Sequence, residues 1–206
     1  TLKLNVVFVP VKRDELIPGL IDGLGDIAVA NLTITPERLK SVDFSDPFVK
    51  EISEVLVTGP SSPQIDSLDD LAGKKIYVRR SSSYYESLLK LNIDFKRAGK
   101  APVKIIPADE MFEDEDLLEM VNAGLIPMIV MDSHKVKLWV KVFDHIRMHP
   151  DIAVRTGGQI AWAFRKNSPK LAAVINGFVA GHKKGTLFGN IVFNRYLRST
   201  KYVKNS

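Results

Sequence analysis

Hydrophobic and polar positions in this chain switch repeatedly between the two-residue period of strands and the longer period of helices. Leu4 to Val9 alternates as a strand, and apolar residues recur at helical spacing from Asp14 to Gly23. The uninterrupted apolar run Ile27 to Ala30 predicts a strand covered on both faces in a parallel sheet. Ile52 to Val57, rich in β-branched residues, predicts another strand. The first part of the chain is therefore expected to form a β-α-β unit with an extra strand.

Five turn-forming residues, Gly59 to Pro63, interrupt the pattern and predict a hinge or linker. Strands and helices alternate again beyond this point, which predicts a second, parallel-type sheet with its own core. The predicted elements are a one-turn helix capped at Ser67, strands Lys75–Arg79, Val103–Ile106 and Met128–Met131, and helices Ser83–Ala98, Asp114–Ala123 and Ser133–Val142.

The last quarter of the chain returns to the first unit. Gln159 to Phe164 is strand-like, Ser168-Pro169 predicts the start of a helix that reaches Gly181, and Leu187 to Tyr196 predicts one more short helix. The expected fold class is α/β with two lobes, each a mostly parallel sheet flanked by helices, and a ligand cleft between them. We expect residues 1–58 and 164–206 to form lobe 1, residues 59–163 to form lobe 2, and the chain to cross near Val57 and Ala163.

Composition limits the function classes without choosing among them. The 206 residues are 45% hydrophobic and 26% charged, as in an ordinary globular protein, and no apolar run approaches a membrane span of about 20 residues. Cysteine is absent, so a disulfide or a thiolate metal site is excluded. The net charge of +5 is spread over lysines without an aromatic-basic motif, which argues against nucleic-acid binding. No signal peptide is present, and Thr1 leads directly into a strand-like run, so we expect residues to have been removed upstream.

The end of the Ile27 strand is polar and predicts an anion site. Asn31 and Thr33 lie at its carboxyl edge, and Thr35-Pro36 looks like an N-cap followed by a first-turn proline. Arg38 then falls in the first helical turn, where a cation opposes the helix dipole. A bound anion held by Arg38, Asn31 and Thr33 would compensate, and ligands of open α/β sheets bind at strand carboxyl ends. In a second interpretation Arg38 forms a surface ion pair with Glu37, Asp43 or Asp46.

A second polar cluster is predicted in the other lobe. Asp132 ends the apolar strand that starts at Met128, and Ser81 to Ser83 precede a helix whose free N–H groups suit an anion. A cation in one lobe and an acid in the other describe a trap for a zwitterion. The alternative for both is structural, with Asp132 and the serines acting only as helix N-caps.

Enzyme and metal sites have weaker support. The four histidines, His134, His145, His149 and His182, include no pair at metal-ligand helical spacing, and His145 and His149 are expected in a loop. The acidic run from Glu110 to Asp116 is interpreted as a helix start. GxSxG, P-loop and GxGxxG motifs are absent, so no cofactor and no metal are predicted.

Four blocks carry a resemblance to a known family. They are GDIAVANLTITPERLKSVDFSDPF, LAGKKIYVRRSSSYYESL, MIVMDSHKV and WAFRKNSPKL, in that order. Together they resemble the type 2 periplasmic solute-binding fold of the polar amino-acid family. The ending HKKGTLFGNIVFNRYLRSTKYVKNS more specifically resembles the lytic murein transglycosylase family, where an amino-acid-binding-like module precedes a peptidoglycan-cleaving domain.

The resemblance implies a role for each matching position. Arg38 would take the ligand carboxylate with help from Asn31 and Thr33, the Ser82-Ser83 pair would lie at a helix start beside it, and Asp132 would take the ligand ammonium. Two further residues, Arg80 and Ser81, are possible cleft residues.

Two departures limit this comparison. The family's first strand and helix, which precede Leu4, are missing here, so lobe 1 is expected to be incomplete or to be completed by another chain. Arg79-Arg80 stands where small or amide residues are commoner. These extra cations favour a ligand with a second carboxylate, unless they are simply surface residues.

The sequence therefore predicts a non-catalytic binding module for an amino acid or a peptidoglycan stem peptide, with no enzyme activity in this chain. By the resemblance it lies in the periplasm, with outer-membrane association expected of the full-length protein, and a transglycosylase domain that contacts peptidoglycan would follow Ser206. Three alternatives remain: a free-standing binding component of an ABC transporter, a small-molecule lyase on the same fold, and a protein-interaction domain whose cleft is narrow or filled.

Overall fold

A computed structural model describes residues 5–198, with side chains described through Tyr196. The elements in chain order are α1 (Leu16–Ile21), β1 (Ile27–Thr33), α2 (Arg38–Ser41), β2 (Val42–Phe44), β3 (Val49–Thr58), a 3₁₀ turn (Leu68–Leu71), β4 (Lys75–Arg79), α3 (Ser83–Arg97), β5 (Lys104–Ala108), α4 (Asp114–Asn122), β6 (Met128–Asp132), α5 (Ser133–Trp139), β7 (Arg147–Arg165), α6 (Pro169–His182), α7 (Leu187–Phe193) and a π-helical turn (Asn194–Arg198).

Two long strands join two lobes. The sheet has the order β1-β7-β3-β6-β4-β5, with β2 also paired to β7. β7 contributes 19 residues and β3 contributes 10, so both extend from one lobe into the other. Their mutual register shifts repeatedly between Val49 and Leu56, which bends the ladder where the lobes meet. The two-lobed α/β fold is confirmed. The hinge at Gly59 to Pro63 and the expected lobe boundaries stay predictions.

Each lobe buries its own apolar residues. The larger cluster covers both faces of the β3, β4 and β6 region, with Leu56, Ile76 and Leu88 at its centre. Smaller clusters in the first lobe form under α1, around Ala28 and Val42, and under α6, around Ile175. The cavity described below is lined by residues from both lobes.

Strand directions differ from the expected mostly parallel sheets. Among the strands of residues 5–198, β4 alone makes parallel pairs, with β5 and with β6. β1 and β2 pair with β7, and β3 pairs with β6 and β7, all antiparallel. The periodicity of the sequence predicted β1, β3, β4, β5, β6 and the end of β7, but it did not predict β2 or the first part of β7. It also carried no information about the direction of the long strands that return through both lobes.

The first lobe also departs from two local predictions. β1 is buried on one face only, because Ala28 is buried while Val29 is 62% exposed. Residues 5–9 contain no strand, and Val7 and Phe8 are more than 80% exposed. Alternation specifies a strand only when a neighbouring strand is available, and no strand in the described range pairs with this segment.

Most other elements agree with the sequence, often within one or two residues. β4 and β6 begin where predicted, and the Ser67 capping box is present, with Asp70 completing it. The acidic run does start a helix, because Glu113 and Asp116 form a capping box at the start of α4. The loop prediction for His149 was wrong: it lies in β7, with its Nε2 2.8 Å from Thr58 Oγ1.

Candidate functional site

Arg38 lies between the lobes rather than on the surface. Its side chain is 8% exposed, and it begins α2, where Thr35 Oγ1 accepts the Arg38 N–H at 3.1 Å. Nη1 donates to the Thr33 carbonyl at 2.9 Å and Nη2 donates to the Ser81 carbonyl at 2.8 Å. The nearest acid is Glu86, at 3.9 Å from Nε. The surface ion pair with Glu37, Asp43 or Asp46 is therefore not formed.

The predicted serines start α3 and face Arg38. Ser82 is the N-cap, and its hydroxyl accepts from the Tyr85 N–H at 3.3 Å and donates to the Arg79 carbonyl at 2.7 Å. Ser83 donates to Thr33 Oγ1 across the cleft at 3.3 Å. Ser81 is held instead by Glu110, through its N–H at 3.1 Å and its hydroxyl at 2.6 Å. Capping thus accounts for Ser82, whereas Ser83 connects the two lobes.

Asp132 lines the cavity from the lobe opposite to Arg38. It ends β6, is 2% exposed, and its backbone N–H donates to the Tyr84 hydroxyl at 3.2 Å. It holds the N-cap position of α5, but its side chain makes no capping hydrogen bond, so capping does not explain it. Oδ1 is buried without a hydrogen-bond partner among the described residues. Burial raises the pKa of Asp132 to about 7; Lys135 opposes this shift and Glu54 adds to it.

A charged cluster that the sequence did not predict lies beside Asp132. Asp114 forms ion pairs with Arg79 and with Lys135, whose Nζ is 2.6 Å from Oδ2. Burial opposes ionisation of Asp114, but Lys135 and Arg79 outweigh it, so its pKa falls below the usual value. Arg79 also donates to the Phe112 carbonyl at 2.9 Å. Both of its Nη atoms are therefore used within the protein, while its buried Nε has no hydrogen-bond partner among the described residues.

Most of the predicted residues meet at one cavity. Its walls include seven of the eight predicted positions, namely Asn31, Thr33, Arg38, Ser81, Ser82, Ser83 and Asp132. Arg80 is not among them; it is exposed, with its guanidinium 5.9 Å from the Tyr85 ring centre. The remaining free volume is about 40 Å³. That volume holds a few water molecules, whereas ligand pockets usually measure about 300–1,000 Å³.

The small volume has a structural cause, because protein groups cross the cleft. Besides Arg38, Arg13 reaches over from the first lobe, pairing with Glu113 at 2.8 Å and donating to the Ala30 carbonyl at 2.8 Å. Thr35 Oγ1 is also 3.3 Å from a Glu86 carboxylate oxygen. The lobes are thus held together by direct polar contacts at the site.

Sequence reasoning missed several residues of this cavity: Arg13, Leu32, Tyr84, Asp114 and Lys135. Tyr84 directly follows the predicted Ser83, and Lys135 lies three residues after the predicted Asp132, so their closeness in sequence was a usable signal. For Arg13 the sequence contained no such signal, because its partner Glu113 is 100 residues away.

A larger hollow of about 730 Å³ lies within the first lobe. Its walls are mainly apolar, including Leu39, Phe44 and Phe164, and Asp43 is the only charged residue among them. We place the functional site in the smaller cavity because opposite charges from both lobes converge there.

Within residues 5–198, no three acidic or histidine side chains gather closely enough to hold a metal ion. Burial lowers the pKa of His134 to about 4, which keeps that imidazole neutral. The same part of the chain contains no helix with the length and apolarity that membrane crossing requires.

Comparison with known proteins identifies the family. The family described as bacterial extracellular solute-binding proteins, family 3, matches residues 1–192. The chain belongs to this family. It has the type 2 binding fold of amino-acid-binding proteins.

Curated relatives carry two kinds of name. Membrane-bound lytic murein transglycosylase F of Desulfosudis oleivorans is 29% identical over 89% of this chain and 38% of its own length. A probable histidine-binding protein of Neisseria gonorrhoeae is 32% identical over 71% of this chain and 55% of its own length. The chain therefore spans only part of the relatives it matches.

Solved structures agree with the fold. An ancestral arginine-binding protein bound to arginine superposes with a TM-score of 0.77, at 27% identity, over 95% of this chain and 81% of that one. The ancestral amino-acid-binding protein AncCDT-1, a precursor of cyclohexadienyl dehydratase, superposes with a TM-score of 0.75, at 25% identity, over 94% of this chain and 78% of that one.

Proposed function

We propose that this chain is a non-catalytic binding module for an amino acid or a peptidoglycan stem peptide in the periplasm. The ligand carboxylate binds Arg38, and its ammonium binds Asp132. Thr33 and Ser83 assist from opposite lobes, and Asn31, Ser81 and Ser82 complete the wall.

One observation carries the proposal: a buried arginine from one lobe and a buried aspartate from the other line the same cavity. Asp132 Oδ1 has no donor in the described chain, and an unpaired buried carboxylate is costly. A ligand ammonium supplies the missing donors. The names of relatives that bind arginine or histidine support the same ligand class.

Ligand entry requires the lobes to separate, because the present free volume is too small for an amino acid. A ligand carboxylate then replaces the Ser81 carbonyl as partner of Arg38 Nη2. Lobe closure over the ligand restores contacts between the lobes, as in hinge-type domain closure.

A thermal-shift screen tests ligand class. We expect one or more free amino acids, or a stem peptide with a free ammonium and carboxylate, to raise the melting temperature in proportion to the logarithm of ligand concentration. Matched analogues with an acetylated amine or an amidated carboxylate should give no shift. Mass spectrometry of the incubated ligand should show it unchanged, since turnover would favour the lyase alternative.

The narrow cleft favours one competing function, a protein-interaction domain that takes no small ligand. In that case the contacts of Arg38 with Thr33 and Ser81 are permanent structural bonds. A screen without any shift, combined with unchanged amide hydrogen exchange at these residues, would support this alternative and overturn the binding proposal.

The relatives named lytic murein transglycosylase suggest a role in a longer protein. We propose that ligand occupancy is reported to a peptidoglycan-cleaving domain after Ser206, as far as the ligand's differential affinity for the open and closed forms allows. Residues 1–206 alone should release no anhydro-muropeptides from purified peptidoglycan. A longer chain that includes the next domain should release them at a ligand-dependent rate. Release of anhydro-muropeptides by residues 1–206 alone would contradict the non-catalytic role. A release rate of the longer chain that does not depend on ligand would contradict the regulatory role.

A further inference from the structure

Glu54 is a buried acid that lies next to Asp132 and has no assigned role. It is 1% exposed on β3, directly opposite Asp132 on β6 and directly opposite Arg155 on β7. Residues directly opposite in antiparallel strands project from the same face with Cβ atoms about 4.5–5.5 Å apart. The two acids are therefore neighbours at the base of the cleft.

The carboxyl oxygens of this pair lack donors. Neither Glu54 oxygen accepts a hydrogen bond of normal geometry, and Asp132 Oδ1 accepts none, among the residues described. The Ser83 and Ser87 hydroxyls of α3 face Glu54 closely enough to favour its ionised form. Three buried carboxyl oxygens that accept no hydrogen bond of normal geometry are thus concentrated at two adjacent positions. Two adjacent acids in such a place cannot both ionise without a large cost.

Nearby cations do not fully neutralise the negative charge that Glu54 and Asp132 would carry if both were ionised. Arg155 on β7 donates to the Ile34 carbonyl at 3.1 Å, and Arg38 on α2 donates to two carbonyls. On α5, Lys135 is paired with Asp114 of α4.

The titration of both acids reflects these surroundings. Burial is the main cause that raises the pKa of Glu54, with Ser87, Ser83, Arg155 and Arg38 opposing it. Asp132 is influenced in addition by Lys135, Asp114 and the Tyr84 hydroxyl.

We propose that Glu54 and Asp132 act as one carboxyl pair that holds a single proton in mildly acidic solution, near pH 6, and that a cationic group of the ligand displaces this proton. The cationic group is an ammonium or a guanidinium that reaches Asp132 from the cleft. The proton passes to solvent, and the charge of the ligand replaces it. Glu54 is then a specificity-determining residue, because it makes the receptor doubly anionic once the ligand is bound. This inference rests on the proposed amino-acid binding.

The first experiment needs no ligand. Carbon-13 NMR of labelled aspartate side chains should show Asp132 titrating near pH 7 in the parent chain. In Glu54→Gln its titration should move to lower pH, because the neighbouring like charge is gone. Glu51→Gln, an exposed change on the same strand, should leave it in place. An Asp132 titration that is the same in the parent and Glu54→Gln would overturn the pair.

Stability against pH gives a second readout with a defined sign. The folded-state pKa of Asp132 is raised from 3.8 to about 7, so its stabilising contribution is complete below pH 4 and is lost as pH rises toward 7. Asp132→Asn removes this loss, so its melting temperature relative to the parent should increase across that window. A constant difference between pH 4 and pH 7 would contradict the inference, even if Glu54→Gln fails to fold.

Proton release on binding is measured by calorimetry in two buffers of different ionisation enthalpy. With the amino acid that gives the largest thermal shift, about one proton should be released per ligand near pH 6 and close to none above pH 8. Binding without proton release at pH 6 would overturn the linkage while leaving the proposed function intact. A chain that binds no amino acid would remove the linkage together with the proposed function, and the NMR titration would still decide whether the pair exists.

Discussion

Arg38→Ala is expected to weaken amino-acid binding at least 100-fold. A hydrogen bond to a charged group is worth about 1.5–3 kcal/mol, and each factor of ten in affinity needs about 1.4 kcal/mol. The guanidinium can offer two donors to a carboxylate, but it must first give up the Ser81 carbonyl at 2.8 Å, so the net loss is smaller than the sum of two bonds. Calorimetric titration of the variant and the parent measures the change.

Two further variants test whether the loss of affinity is caused by the missing guanidinium. Arg38→Lys should recover only part of the affinity, because an ammonium cannot reproduce the bidentate fork. Lys40→Ala changes an exposed cation in the same helix and should bind as the parent does. If Arg38→Ala retains the parent's affinity, the carboxylate site lies elsewhere. Circular dichroism of each variant confirms that the comparison is made between folded proteins.

Asp114→Ala is expected to lower the free energy of unfolding by about 3–5 kcal/mol, because it leaves a buried cation without its partner. Arg79 is 4% exposed and Lys135 is mostly buried, and both depend on the Asp114 carboxylate. For a chain of this size each kcal/mol corresponds to about 2–4 °C in melting temperature. Urea unfolding measures the free energy, and a thermal melt measures the shift.

Glu119→Ala provides the matched control for this change, since Glu119 is exposed on the same helix. It should alter stability by no more than about 0.5 kcal/mol. If Asp114→Ala has an equally small effect, Arg79 must be hydrated or paired with another acid in the variant. The buried cluster would then contribute little to the free energy of unfolding. A double variant that also replaces Arg79 with methionine should recover part of the loss, because Arg79 then leaves no unpaired buried charge, while Lys135 still lacks its partner.

The sequence predicted most of the local secondary structure and singled out two charged residues of the candidate site. Periodicity located β4, β6 and α3 closely, and caps such as Ser82 fixed where helices begin. These signals are local, so a short stretch of sequence contains them. Arg38 was singled out because a cation in a first helical turn opposes the helix dipole, and Asp132 because it ends an apolar strand.

Features that depend on distant parts of the chain escaped prediction. The antiparallel return of β7 and the exposure of Val29 depend on which strands become neighbours. Glu54 looked like an ordinary polar residue in a strand, and only its position opposite Asp132 shows that two acids share one place. Arg79 was interpreted as a cation at the cleft mouth because its partner, Asp114, is 35 residues away.

The central claim is that a zwitterion binds between Arg38 and Asp132, and a crystal structure with the amino acid that gives the largest thermal shift tests it most directly. The account predicts a ligand carboxylate within hydrogen-bond distance of the Arg38 guanidinium, with the ligand ammonium on Asp132 Oδ1. It also predicts that the hydrogen bond from Arg38 Nη2 to the Ser81 carbonyl is replaced. A ligand bound in the larger hollow of the first lobe, or a cleft in which Arg38 still bridges Thr33 and Ser81 at saturating ligand, would contradict it.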